Sequence, residues 1–213
     1  MMAALDLEEQ EQVETLKAWW KENGNYVLLA LAVMLGGFAA IQGWKSYQSN
    51  QALGASELFQ QFTRQIESGD AKRVNDAADA VIAGYGGSAY APRASLLAAQ
   101  VNIQTGDLAR AKTRLQWTIK NAGEEGLKNV ARLNLVGVLL DEKNYAEAQD
   151  LLEAPHPDSY DGLYADLKGD VLSAQGKKEE ARAAYQKALD KTDAKNNYSS
   201  LIRMKLEALG GKK

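Results

Sequence analysis

The chain has 213 residues, a net charge of −3 and 25% charged residues, enough for one folded domain with extras and a balance that does not call for nucleic acid. It has no cysteine, which excludes disulfides, thiol catalysis and cysteine metal sites. Only three prolines occur, alanine and leucine abound, and alternating β-branched runs are absent, so the chain favours helices.

The first 24 residues form an acidic tail. Six of the 28 acidic residues lie there (Asp6, Glu8, Glu9, Glu11, Glu14 and Glu22) against two of the 25 basic ones, Lys17 and Lys21. Asp6 to Trp20 is predicted to be an amphipathic or tail helix. From Asn23 through Trp44 no residue is charged. A helix of that length matches the hydrocarbon thickness of a bilayer. Trp19, Trp20 and Tyr26 flank it on one side and Trp44 and Tyr47 on the other, as aromatic rings do at headgroup depth. A signal peptide should have a basic start, a shorter apolar run and a small-residue cleavage site. Residues 25–45 are therefore expected to be a retained membrane anchor. Ala32, Gly36 and Ala40 recur every four residues, with Gly43 one turn on. They form a small-residue face that lets another membrane helix approach closely. Lys17 and Lys21 against Lys45 and Arg64 lean only slightly toward a cytoplasmic N-terminus.

Residues 46–213 are predicted to be helical hairpins. Ser46 to Glu67 continues as a helix and pairs with Ala71 to Ala83. "GYGGSAYAP" (84–92) is expected to be a loop ending with Pro92 at a helix start. Arg93 to Gln104 pairs with Leu108 to Asn121, Leu127 to Glu142 with Tyr145 to Glu153, and Leu163 to Gln175 with Lys178 to Asp190. "APHPDSYDG" (154–162) is a rigid loop, and Tyr198 to Leu209 is a capping helix. Three stretches align as repeats: "QTGDLARAKTRLQ", "DEKNYAEAQDLLE" and "AQGKKEEARAAYQ". Each places an alanine after a polar turn (Ala111, Ala148, Ala181) and a larger residue four later (Leu115, Leu152, Tyr185). A weaker copy puts Val74 at the alanine position. The small residue lets two helices sit close, and the larger one fills the space between them. A lone hairpin cannot bury its apolar face, so hairpins stack. The last copy, with Gly169, Leu172, Gly176, Ala181, Tyr185, Ala188 and Leu189, resembles the tetratricopeptide repeat.

Chemistry-bearing patterns are few. His156 is the single histidine, which argues against a histidine metal site or triad. His156-Pro157-Asp158 matches the tripeptide of J-domain co-chaperones, but the basic helix that precedes it there is missing. Gly84, Gly86 and Gly87 lack the Gly-Lys-Ser/Thr and the preceding strand of a phosphate loop. Asp70 and Asp107 read as helix N-caps. Glu124-Glu125 and Glu179-Glu180 read as solvated helix starts. No enzyme and no cofactor are expected. Stacked hairpins instead present a concave face built from their first helices. By the repeat register, Arg93, Gln100, Asn134, Asp141, Asp166 and Asp170 are the candidate groove residues.

The order of these parts resembles the YfgM family, the ancillary subunit of the SecYEG translocon in Gram-negative bacteria. The resemblance covers essentially the whole chain. It rests on the acidic tail, "EQVETLKAWWKENG", the apolar helix, "IQGWKSYQ" and the degenerate repeats, above all "ADLKGDVLSAQGKKEEARAAY" (165–185). It implies an all-α protein with a single N-terminal transmembrane helix followed by a tetratricopeptide-like helical-hairpin repeat domain. It further implies an inner-membrane location with residues 1–24 cytoplasmic, 25–45 spanning and 46–213 periplasmic. The implied partners are the SecYEG translocon and a PpiD-type periplasmic chaperone, and the implied role is to help hand emerging polypeptides to periplasmic chaperones. A regulator acting through the cytoplasmic tail on a stress-response regulator, and a scaffold for other envelope proteins, stay open as alternatives.

Overall fold

The structure, a computed structural model, describes residues 2–193 and 196–210, with side chains from Glu11 onward. The acidic side chains of Asp6, Glu8 and Glu9 lie outside the described residues. Nine α-helices run in order among those described: α1 (Met2–Glu67), α2 (Ala71–Tyr85), α3 (Tyr90–Gln104), α4 (Leu108–Asn121), α5 (Glu125–Asp141), α6 (Tyr145–Leu152), α7 (Asp161–Ala174), α8 (Lys178–Asp190) and α9 (Asn197–Ala208). They divide into two compact units, Met1–Gln51 and Ala52–Lys213.

The first unit is the part of α1 up to Gln51. Asn23-Gly24-Asn25 interrupts the sequence pattern, yet the helix runs through it unbroken. Two local contacts account for this. The Asn23 amide donates to the Trp19 carbonyl at 3.1 Å, and the Trp20 ring covers Gly24, so that a Cβ there would lie 3.2 Å from the indole. Beyond this point Leu28, Leu29, Val33, Met34, Leu35, Phe38 and Ile41 are all exposed. A helix apolar on every side, with these side chains exposed, has the character of a membrane span. Among the described residues it is the one helix that meets the length and hydropathy of such a span.

In the second unit the end of α1 packs with α2, and α3/α4, α5/α6 and α7/α8 follow as antiparallel hairpins, with α9 last. Local sequence explains the turns. A helix ends readily in a left-handed residue whose neighbours bond back to the last carbonyls. Gly106 (φ 80°) and Gly176 (φ 77°) supply it, with Asp107 N–H to the Asn102 carbonyl at 2.8 Å and Lys177 N–H to the Leu172 carbonyl at 2.9 Å. The α5–α6 turn repeats the geometry, Asn144 N–H to the Leu139 carbonyl at 2.8 Å, but with Lys143 at φ 58°. Each following helix then needs a cap for its free N–H groups. Asp70 accepts from the Lys72 and Arg73 amides, Asp107 from Arg110 and Asn144 from Glu147.

Two loops differ from their sequence-based expectation. The 84–92 loop shrinks because α2 extends to Tyr85 and α3 already begins at Tyr90. Pro92 sits in the first turn of α3, where its missing N–H has no helical partner to lose. The 154–162 loop holds a short 3₁₀ turn, Asp158–Tyr160, that leads into α7 at Asp161.

The repeat alanines are the innermost side chains. Ala111, Ala148 and Ala181 are fully buried, as is Val74, and Leu115, Leu152 and Tyr185 pack behind them. Burial of each Leu-sized side chain stabilises by about 1.5–3 kcal/mol. Three cores follow one another along the hairpins: Phe62, Val74, Val81 and Ala98; then Leu115, Leu135, Leu139 and Val171; then Leu172, Tyr185, Ala188 and Ile202. A buried polar knot joins α2, α3 and α4. Asn75 and Asn102 exchange amide hydrogen bonds at 2.7 and 3.1 Å. Arg114 donates from Nε to Asn75 Oδ1 at 2.8 Å and from Nη2 to Asp79 at 2.9 Å.

Candidate partner-binding groove

The first helices of the α5/α6 and α7/α8 hairpins, α5 and α7, frame a depression of about 460 Å³. Leu133, Leu140, Leu163 and Leu167 form its apolar walls, Ile103 of α3 closes one edge, and Tyr198 of α9 overhangs it. The spacing explains the face. Leu133 and Leu140 are seven residues apart, and so are Asn134 and Asp141, so each pair returns to nearly the same side of α5. Gly137 lies between them and also lines the depression.

Three of the six candidate groove residues meet here: Asn134, Asp141 and Asp170. The other three do not. Arg93 is held by Glu124 at 2.6 and 2.9 Å and donates to the Ala89 carbonyl. Gln100 is exposed and away from the depression. Asp166, expected on the open face, is only 1% exposed. Its burial has a clear cause: α9 lies over that part of α7. Tyr198 O–H donates to Asp166 Oδ2 at 2.6 Å, and Lys205 donates to Asp166 Oδ2 at 2.8 Å and to Asp170 Oδ2 at 2.7 Å. Tyr185 O–H completes the cluster by donating to Asp170 Oδ1 at 2.7 Å.

Among the described residues this cluster holds two carboxylates against one ammonium, and Asp166 Oδ1 is buried without a partner. Its proton-bearing groups are all shifted the same way. Burial, followed by the hydrogen bond to Asp170, pushes the Tyr185 hydroxyl up. Burial, followed by the bond to Asp166, does the same for Tyr198. For Lys205 burial pulls down, but the hydrogen bonds and charges of the two aspartates outweigh it and the net shift is upward. The cluster therefore fixes protons in place, and its chemistry is that of a latch.

On the other side of α7, His156 stacks on Tyr164 with ring centroids 3.7 Å apart. Its Nδ1 lies 2.9 Å from the Ala154 carbonyl and its Nε2 3.3 Å from Asp161. Lys191 is bonded to the same Asp161 and holds its carboxyl below the usual range. Among the described residues no group of three metal-ligating side chains converges. In α1, Ala32, Gly36, Ala40 and Gly43 are exposed on the helix, and a Cβ on Gly36 or Gly43 would meet nothing within 4 Å.

The groove leucines, Gly137 and Tyr198 were not singled out from sequence. The signal was present beside the polar residues that were: Leu133 precedes Asn134, and Leu140 precedes Asp141. Leu133 and Leu140 are partly exposed and also pack against the middle core.

A family model for the tetratricopeptide repeat-like domain matches residues 17–211. Three relatives, each named Ancillary SecYEG translocon subunit, match nearly end to end. The Escherichia coli (strain K12) protein is 27% identical, covering 94% of this chain and 96% of its own. The Neisseria gonorrhoeae (strain ATCC 700825 / FA 1090) protein is 28% identical over 97% of this chain and 99% of its own. The Haemophilus influenzae (strain ATCC 51907 / DSM 11121 / KW20 / Rd) protein is 26% identical over 87% and 90%. No solved structure matches the chain.

Proposed function

The chain belongs to the tetratricopeptide repeat-like domain family, and from that premise we propose that it is a non-catalytic, membrane-anchored adaptor of a SecYEG translocon. The observation that carries this is the near-complete match to relatives named for that association. In this role α1 crosses the inner membrane once, through residues 25–45. Residues 1–24 lie in the cytoplasm and the repeat domain, 46–213, in the periplasm. There the domain helps pass emerging polypeptides to periplasmic chaperones, with a membrane-anchored chaperone of the PpiD type as partner. The uncovered apolar surface of α1 supports anchoring. The groove between α5 and α7 supports protein binding, since stacked hairpins bind through such faces. The small-residue face Ala32, Gly36, Ala40 and Gly43 is proposed as the contact with a neighbouring membrane helix.

Two measurements test this role. A reporter fused after Lys213 is expected to read periplasmic, and a cytoplasmic result would remove it. Photocrosslinkers placed at Gly36 and at Asn134 in native membranes are expected to capture translocon and chaperone components respectively. Recovery of neither would sink the proposal.

A further inference from the structure

Two residues of α5 contradict the local rules of a helix on the same face. Gly137 lies inside α5, where glycine is worse than alanine because its backbone has more freedom to lose. Gly169, in the first helix of the next hairpin, has a packing reason: a Cβ there would strike the Tyr185 ring at 2.4 Å. At Gly137 a Cβ would meet nothing within 4 Å. The space it leaves opens into the depression. Glycine at such a place lets the backbone or side chain of something outside the domain come close.

Asp141 is the second. It ends α5, where the helix dipole already concentrates negative charge and disfavours a carboxylate. Neighbouring Glu142 is offset by Lys112 at 3.4 Å, whereas Asp141 has no partner among the described residues. Among the described residues no lysine or arginine lines the depression, and the second carboxylate there, Asp170, shares Lys205 with Asp166. Local rules broken without an internal gain mark functional positions.

We propose that this groove binds a polypeptide segment that carries apolar side chains and a lysine or arginine. The apolar side chains lie between Leu133, Leu140, Leu163 and Leu167, the segment passes closely over Gly137, and its cation is received by Asp141. This rests on the groove being the partner-binding surface proposed above and adds the chemistry of what it takes. Acidic segments are rejected by the unbalanced carboxylates.

The test uses the full chain in lipid nanodiscs and two fluorescein-labelled peptides. One carries two leucines a helical turn apart and a lysine, and the other has glutamate in place of that lysine. The lysine peptide is expected to bind, more weakly as salt is added, and the glutamate peptide to bind about tenfold less well. Gly137→Leu is expected to fill the groove and abolish binding while the thermal midpoint is kept. Asp141→Lys reverses the peptide preference and keeps the test sharp if the leucine variant folds poorly. Equal binding of the two peptides, or an unchanged affinity in Gly137→Leu, overturns the inference. Copurification of wild-type chain with SecYEG separates the two levels. Translocon recovered without peptide binding overturns the groove chemistry alone. Charge-selective peptide binding without translocon supports the groove chemistry and overturns the adaptor role.

Discussion

Gly169 and Gly137 both lie inside first helices, yet their substitutions are expected to act in opposite directions. Gly169→Ala drives a methyl group into Tyr185, and overpacking of this kind costs about 1–3 kcal/mol. Gly137→Ala meets open space and is expected to stabilise by about 0.5–1 kcal/mol. Urea unfolding of the two variants side by side checks both signs. A third case is Lys143, which holds the left-handed turn position that glycine fills at residues 106 and 176. Lys143→Gly relieves a steric strain of about 1–2 kcal/mol and is expected to raise the denaturation midpoint, with part of the gain lost to the freer unfolded chain. Legibility at this scale followed locality. Ala181 and Tyr185 were readable because the small residue and its larger partner recur in each hairpin, and Gly169 followed from the resemblance of that last copy to the tetratricopeptide repeat. Asp166 was misplaced because α9, more than thirty residues away, covers it, and no local register announces that.

At the scale of elements, polar contacts decide which helix sits where. Asn75, Asn102 and Arg114 bond across α2, α3 and α4 with almost no water access. Asn75→Ala strands the Asn102 amide and Arg114 Nε, while Arg114 Nη2 keeps Asp79, and each unsatisfied buried group costs about 1–3 kcal/mol. The variant is expected to lose at least that much by denaturant melting, with the loss concentrated at α2–α4 in hydrogen exchange. The latch of α9 gives a pH prediction. Tyr185, Tyr198 and Lys205 all have raised pKa values, so each holds its proton more tightly in the folded chain. Their contribution is complete below the unfolded values of about 10 and is lost as pH rises through the folded ones. Exchange protection of α9 is expected to hold at neutral pH and fall at strongly alkaline pH, while tyrosinate absorbance appears later than for free tyrosine. Most helices were legible from their turns, since Ser68-Gly69-Asp70 and Thr105-Gly106-Asp107 each place a stop and a cap together. The continuity of α1 was not, because Asn23-Gly24-Asn25 reads as a break until the Trp20 ring is seen covering Gly24.

For the whole molecule, the division into three cores means that stability is local rather than shared. Such stacks behave as chains of neighbour interactions. A chain ending after Asp193 lacks Ile202, Tyr198 and Lys205, and with them one side of the last core. Hydrogen exchange of that truncated chain is expected to show α8 and the last-core face of α7 loosened and α2–α4 protected as before. Uniform loss of protection would mean a single cooperative core. The groove would suffer as well, since Tyr198 overhangs it.

The same partition bears on how the domain forms as it leaves the ribosome, N-terminus first. The Phe62 core draws on nothing beyond Trp117, so it can close while the remainder of the chain is still arriving. The middle core waits only for Val171, and the last for α9. Contacts of short sequence separation form quickly, and no early segment must stay open for a distant partner. The domain is built for vectorial assembly, with each hairpin templating the next and α9 as the closing step.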